Sequence, residues 1–242
     1  MYDAFCEAGG NFIDTANLYT NGTSESFLGE FMEGHRKGMV QVLYTDISDA
    51  PAWWIAQANT LAHLRGWSPF VGLQIEYSLI ERTVERELIP MAKTLNLGVT
   101  AWSPLARGVL TGKYHAHASS EASAGPGRLN NDMAKDFMPE RERTERIVAA
   151  LKTVSDETGR SIAQVALAWH RYRPVPVIPI IGARKLSQFQ DKLASFDLTL
   201  SADHLTTLDE ASRIELGFPY DMYAKAMPRA VCYGGLRDQI RA

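Results

Sequence analysis

Apolar positions along the chain fall into short β-rich runs separated by stretches of helical spacing, and this alternation sets the first structural expectation. Tyr2, Phe5 and Cys6 stripe a helix that Gly9-Gly10 ends. Asn11 to Thr15 predicts a strand, and Ser24 to Met32 predicts a helix capped by Ser24 with Phe27, Leu28 and Phe31 facing inward. Val40 to Ser48 is a second strand, followed by a helix that Pro51 opens and that reaches about Leu64. Val71 to Leu79 is a third, followed by a helix to about Leu95 with a kink at Pro90. Val99 to Trp102 is a fourth, stopped by Ser103-Pro104 because proline donates no ladder hydrogen bond. His115 to Glu140 lacks periodicity and reads as a mobile flap. Helices at Arg141 to Thr158 and Ser161 to Tyr172 then lead to VPVIPII, Val175 to Ile181, an unbroken apolar run that predicts a strand buried on both faces. A helix from Lys185 to Ala194, a last one capped by Ser201 and reaching Ala211, and an irregular tail complete the pattern.

Five strands alternating with helices argue for an α/β fold with a parallel sheet and right-handed crossovers. The 242 residues, 45% of them hydrophobic, can form one such domain with a core of its own. A formal net charge of −3 gives no reason to expect nucleic acid or an anionic membrane as partner. No apolar run reaches the ~20 residues of a membrane span, and MYDAFCEAGG has no signal-peptide core, so a cytoplasmic location is expected by default. The two cysteines, Cys6 and Cys232, are too far apart to suggest a disulfide framework or zinc site and read as free thiols.

Candidate chemistry concentrates in GVTAWSPLARGVLTGKY, Gly98 to Tyr114. A strand ends in a loop whose glycines, Gly108 and Gly112, let the backbone approach a ligand, with Lys113 adding a positive charge. This is either a phosphate cradle made mostly of main-chain N–H groups or an ordinary strand-to-helix turn. His115 and His117 form an HxH pair with no third ligand nearby, so no metal site is expected. Trp53-Trp54, with Phe218, Tyr220 and Tyr223, could wall an apolar pocket or simply pack.

AWSPLARGVLTGKY resembles the cofactor loop of the aldo-keto reductase superfamily. GGNFIDTANLY (Gly9 to Tyr19) resembles that family's first catalytic segment, and IPIIGARKLSQFQDKL (Ile178 to Leu193) its adenosine-phosphate segment. The likeness is strongest to the aryl-alcohol-dehydrogenase-like branch. It implies a fold derived from the TIM barrel, with roughly five of the eight βα units a closed barrel uses. The chain would be a single domain over residues 1–242, lacking the family's first strand and, between Gly34 and Met39, its third and fourth. Sheet edges left unpaired by such a gap would favour self-association.

The resemblance also implies NADP(H) as cofactor and a small-molecule carbonyl or alcohol as substrate. Asp14 and Tyr19 match the first two members of the family's catalytic set. Its lysine and histidine end strands inside the missing segment, where His35 and Lys37 are the local residues of those types. Their plain reading is a solvated helix end. Ser48 and Gln74 match contacts to the nicotinamide amide, although Asp49 replaces the family's asparagine and a carboxylate cannot donate the amide's hydrogen bond. Trp102 matches the aromatic platform under the nicotinamide, followed by Ser103. Leu105, Gly108 and Leu110 would lie along the pyrophosphate. Gly182, Arg184 and Gln188 match the segment at the adenosine end, where arginine suits a 2′-phosphate. Lys192 stands in place of the asparagine that meets the adenine. An enzyme of this set would reduce aldehydes or ketones. Without the lysine and histidine, the alternatives are a catalytically inactive NADPH-binding protein or a non-functional truncated product.

Overall fold

A computed structural model of the chain describes residues 23, 26–27, 29–30, 44–112, 140–181, 186–225, 231 and 236. The chain divides into two compact units, Met1–Tyr44 and Thr45–Ala242. In the first, residues 23, 26, 27, 29 and 30 are helical, so the helix expected over Ser24 to Met32 with Ser24 as its cap already includes Thr23. Phe27 was expected to face inward and is instead 55% exposed. Thr23, Phe27 and Glu30 follow one another at helical spacing and are all exposed, so Phe27 lies on the outer face. The strand at Asn11 to Thr15, the helix before it, the flap and both cysteines lie outside the described residues.

Among the described residues the second unit holds four parallel strands. They are β1 (Thr45–Ser48), β2 (Phe70–Glu76), β3 (Gly98–Trp102) and β4 (Val177–Pro179), and they pair in the order of the sequence. Among the described strands the order does not reverse, as in one arc of a barrel and unlike a doubly wound sheet at its switch point. The fold is thus parallel α/β, a partial sheet of the barrel type.

Parallel register sorts the strand residues onto two faces. Ile47, Leu73, Val99 and Val177 lie side by side across the sheet, as do Ile75 and Ala101. Leu73, Ile75, Val99 and Ala101 are all buried, and burial of each large one is worth ~1.5–3 kcal/mol. Against this face pack α3 (Arg141–Thr158) and α4 (Ile162–Ala168), whose Ile147, Leu151, Val165 and Leu167 join the same core.

Connections follow the sequence with identifiable exceptions. After β1, Pro51 takes the position before α1 (Ala52–Arg65), and Gly66 ends that helix in the left-handed conformation. The buried Asn59 of α1 exchanges two hydrogen bonds with the backbone of Phe70, at 3.0 and 2.9 Å, and so fixes the start of β2. Beyond β2 the expected single kinked helix is broken into a 3-10 turn, Thr83–Glu85, and α2 (Leu88–Thr94). Pro90 lies in the first turn of α2, where a missing N–H breaks no intrahelical bond, so no kink forms there.

Ser161 and Ser201 each cap a helix with a reciprocal capping box, to Gln164 in α4 and to His204 in α6 (Ala202–Ser212), an arrangement worth ~1 kcal/mol each. α5 (Leu186–Leu193) precedes α6. The tail expected to be irregular contains α7 (Tyr220–Ala224). The VPVIPII strand also differs from expectation. Val175 and Val177 are buried, but Ile178 is 63% exposed. β4 is an edge strand of the described sheet, and its alternate residues turn to the face opposite the core. Among the described residues no helix is long and apolar enough to cross a membrane.

Candidate functional site

The face of the sheet opposite the core is polar. Ser48, Gln74, Thr100 and Ile178 lie in one row across the four strands. Asp46, Gly72 and Gly98 form the row before it, and Glu76 pairs with Trp102 in the row after it. A solvated sheet would alternate polar residues outward in the same way. Here, however, the rows carry tryptophan and amide side chains among small residues. The Asp46 carboxylate lies across Gly72, in the space a Cβ there would take. Partial burial in that position raises the pKa of Asp46 above 3.8. Thr100 Oγ1 is buried with no hydrogen-bond partner among the described residues.

Because the strands are parallel, their C-terminal ends share one edge, and four of the five described non-glycine residues with left-handed backbone lie there, the fifth being Asn96 before β3. Asp49, just past β1, has φ 49°, and past β3 Ser103, Ala106 and Arg107 have φ of 49°, 46° and 55°. Such left-handed values at residues other than glycine cost of order ~1 kcal/mol each and concentrate at functional edges. Asp49 ties the edge together. Its backbone N–H donates to the Gln74 carbonyl at 3.1 Å. Its carboxylate accepts from Trp102 Nε1 at 3.1 Å and from Ser48 Oγ at 3.2 Å. Residues read separately from the sequence (Ser48, Gln74 and Trp102) therefore meet around a residue read as a departure.

The loop after β3 is the 3-10 segment Ala106–Thr111, ended by Gly112 with φ 76°. It differs from a cradle made mostly of free main-chain N–H groups. The amides of Ala106, Gly108, Leu110 and Gly112 donate back to Ser103, Leu105 and Val109 carbonyls within the loop. Leu105 and Leu110 point into the core, so only their backbone is placed to meet a ligand. Among the described residues the loop's charge comes from the Arg107 side chain, 3.6 Å from the Glu76 carboxylate, while Lys113 lies outside them. Burial raises the pKa of Glu76, the Arg107 charge opposes that rise, and the charges of Glu81 and Asp49 add to it.

A cleft of about 370 Å³ opens beside this edge, lined by Asp49, Ala50, Pro51, Ile75, Glu76, Glu81, Thr83, Val84 and Leu88. None of the aromatics suggested as pocket walls lines it. Trp53 and Trp54 meet edge to face at 5.7 Å on the exposed surface of α1. Phe218 and Tyr223 are exposed, and the Tyr220 hydroxyl donates to Glu87 at 2.7 Å. At the far segment, Gln188 and Lys192 stand one turn apart on α5, hence on one helix face. Asp14, Tyr19, His35, Lys37, Gly182 and Arg184 lie outside the described residues, as do His115 and His117. Among the described residues there is no cluster of side chains able to hold a metal ion.

Thr100, Glu76 and Arg107 were missed by the sequence reading. For the first two the signal was present, since Thr100 and Glu76 continue the alternation that contains Gln74 and Trp102. Arg107 carries no such signal, because its position depends on a positive φ that side-chain patterns do not reveal.

Similarity to known proteins accords with this arrangement. The model of the aldo/keto reductase family matches residues 1–45 and 37–213. The chain is 28% identical to "Aryl-alcohol dehydrogenase [NADP(+)]" of Phanerodontia chrysosporium, over 92% of this chain and 78% of that one. It is 24% identical to "Norsolorinic acid reductase" of Aspergillus flavus, over 90% and 72%, and 24% identical to "Putative aryl-alcohol dehydrogenase AAD14" of Saccharomyces cerevisiae, over 90% and 77%. The first of these alignments runs over 303 positions, more than the 242 residues of the chain, so it passes stretches of the relative that have no counterpart here. On the strength of the family match, which covers most of its length, the chain belongs to the aldo/keto reductase family of oxidoreductases.

Proposed function

We propose that this chain binds NADP(H) on the polar sheet face and acts on aldehydes, ketones or the corresponding alcohols. One observation carries the reading: Ser48, Gln74 and Trp102, separated by up to 54 positions in sequence, lie on one face at one edge of the sheet and are linked through Asp49. The residues present fit the group. Thr100 Oγ1 is a buried polar atom without a partner among the described residues, in the same row as Ser48 and Gln74. The half-buried Trp102 offers an indole held in orientation by its N–H bond to Asp49, and an aromatic ring suits a planar heterocycle.

When bound, the nicotinamide supplies or accepts the hydride of the reaction. Ser48 and Gln74 would hold its amide, Trp102 would fix the ring plane, and Arg107 would bring positive charge to the phosphate side. Gln188 and Lys192 on one face of α5, with Arg184, would meet the adenosine end, so that NADPH is preferred over NADH. Tyr19 would donate the proton to the carbonyl oxygen. A phenol with an ordinary pKa of ~10 requires a neighbouring cation to do so efficiently.

A second reading is a protein that binds the cofactor but turns over poorly. It is favoured by the alignment of 303 positions against 242 residues, since the family's lysine and histidine fall in strands that the sequence does not supply. NADPH oxidation with an aromatic aldehyde such as nitrobenzaldehyde separates the two. Loss of the positioned acid's partners is worth ~10²–10⁴-fold, so the second reading predicts rates at least ~100-fold below ~1 s⁻¹. Turnover near ~1 s⁻¹ that Tyr19→Phe abolishes would establish the first. Equal affinity for NADPH and NADH, unchanged in Arg184→Ala, would contradict the NADP assignment in either.

A further inference from the structure

The edge that gathers Ser48, Gln74 and Trp102 is unevenly charged. Glu76 has the Arg107 guanidinium 3.6 Å away, whereas the Asp49 carboxylate is met by two neutral donors, Trp102 Nε1 and Ser48 Oγ, and by no cation among the described residues. An anion is thereby fixed against the rim of the indole, and anything stacked on that indole lies close to it. The reduced and oxidised nicotinamide cofactors carry the same phosphates and the same amide. They differ in charge at the ring, which is neutral when reduced and positive when oxidised.

We propose that Asp49 sets the redox preference of the bound nicotinamide, its carboxylate holding the oxidised, positively charged ring more tightly than the neutral reduced one. The inference rests on the cofactor reading above and deepens it. Whatever hydrogen bond to the amide is lost by having a carboxylate at position 49 is lost for both forms, and it cancels in their ratio. The ring charge does not cancel. For a partly exposed pair at such range, screening between that of water and that of a protein surface leaves about a tenfold effect on the ratio. For a two-electron couple, tenfold corresponds to a fall of about 30 mV in the potential of the bound cofactor.

The test is to measure dissociation constants for NADP+ and NADPH by calorimetry, for the wild type and for Asp49→Asn. Asparagine retains an oxygen to accept from Trp102 Nε1, and unchanged tryptophan emission reports that the indole has stayed in place. The ratio of the NADPH constant to the NADP+ constant should fall about tenfold in Asp49→Asn. The difference should shrink between ~0.05 and ~0.5 M salt as the charges are screened. A ratio identical in the two proteins, with both forms bound, overturns the inference and leaves the cofactor site standing. Failure of the wild type to bind either form overturns the cofactor reading and the inference with it.

Discussion

His170 is the residue whose surroundings make the most specific demand. It is fully buried, with Nε2 3.0 Å from the Tyr77 carbonyl and Nδ1 3.2 Å from the Ala166 carbonyl. A neutral imidazole has one N–H to give, so one carbonyl faces a lone pair. Burial pushes the pKa below 6.5, although the carbonyls of Tyr77, Leu167 and Ala166 pull the other way, and the Arg173 charge reinforces the fall. The folded state therefore binds this proton less readily than the unfolded chain. Stability is complete above the unfolded value near 6.5 and declines as the pH drops below it, by up to about 1.4 kcal/mol per unit. In His170→Gln that component should vanish, so that urea denaturation between pH 7 and 5 gives a shallower decline than in the wild type. Parallel curves would contradict the account. At this scale the sequence was informative where a side chain's chemistry is local. Ser48, Gln74 and Trp102 share one face at one edge of the sheet. The role of Asp49 was not legible, because it depends on an indole 53 positions away.

Among elements, the connection after β2, the 3-10 turn Trp169–Tyr172 and α6 are joined through one carboxylate. Asp209 accepts from both terminal nitrogens of Arg173, at 3.1 and 3.2 Å, from Trp169 Nε1 at 2.9 Å and from Arg82 at 3.0 Å. Arg82 also grips Glu85 with two bonds, and the Tyr77 hydroxyl donates to Glu85 at 2.7 Å. Between these groups the Arg173 guanidinium lies 4.0 Å from the Trp169 ring centroid. Burial alone would raise the pKa of Asp209, but the Arg173 hydrogen bonds and charge, the Trp169 N–H and Arg82 outweigh it, and the net value falls below 3.8. That stabilisation is present above the unfolded value and is lost as the pH falls through the folded one. Removing the carboxylate leaves the nearly buried Arg173 guanidinium without its carboxylate and Arg82 with Glu85 alone, for about 2–4 kcal/mol after allowance for the exposed part of Asp209. Asp209→Asn should therefore melt lower than the wild type at pH 7, and the gap should narrow below pH ~3.8. A gap that persists there would place the effect in packing rather than charge. The capped helices and the strand positions were readable because their signals are local. Pro90 and β4 were misread because the first turn of a helix and the open side of an edge strand are set by neighbours distant in sequence.

For the whole molecule, the sequential order of four parallel strands gives the described unit two different faces, one closed by helices and one lined with polar residues. Alternation of strands and helices predicted the parallel sheet. It did not predict which side of each strand would be open, since a continuous apolar run such as VPVIPII is compatible with burial on either face. The central claim is that the open face is a nucleotide site, and hydrogen–deuterium exchange with and without saturating NADPH tests it most directly. The account predicts slower exchange on binding in peptides covering Thr45 to Asp49, Phe70 to Glu76 and Gly98 to Gly108, with α1 unchanged. Saturable NADPH binding that leaves those three segments unprotected, or no binding at all, would contradict it.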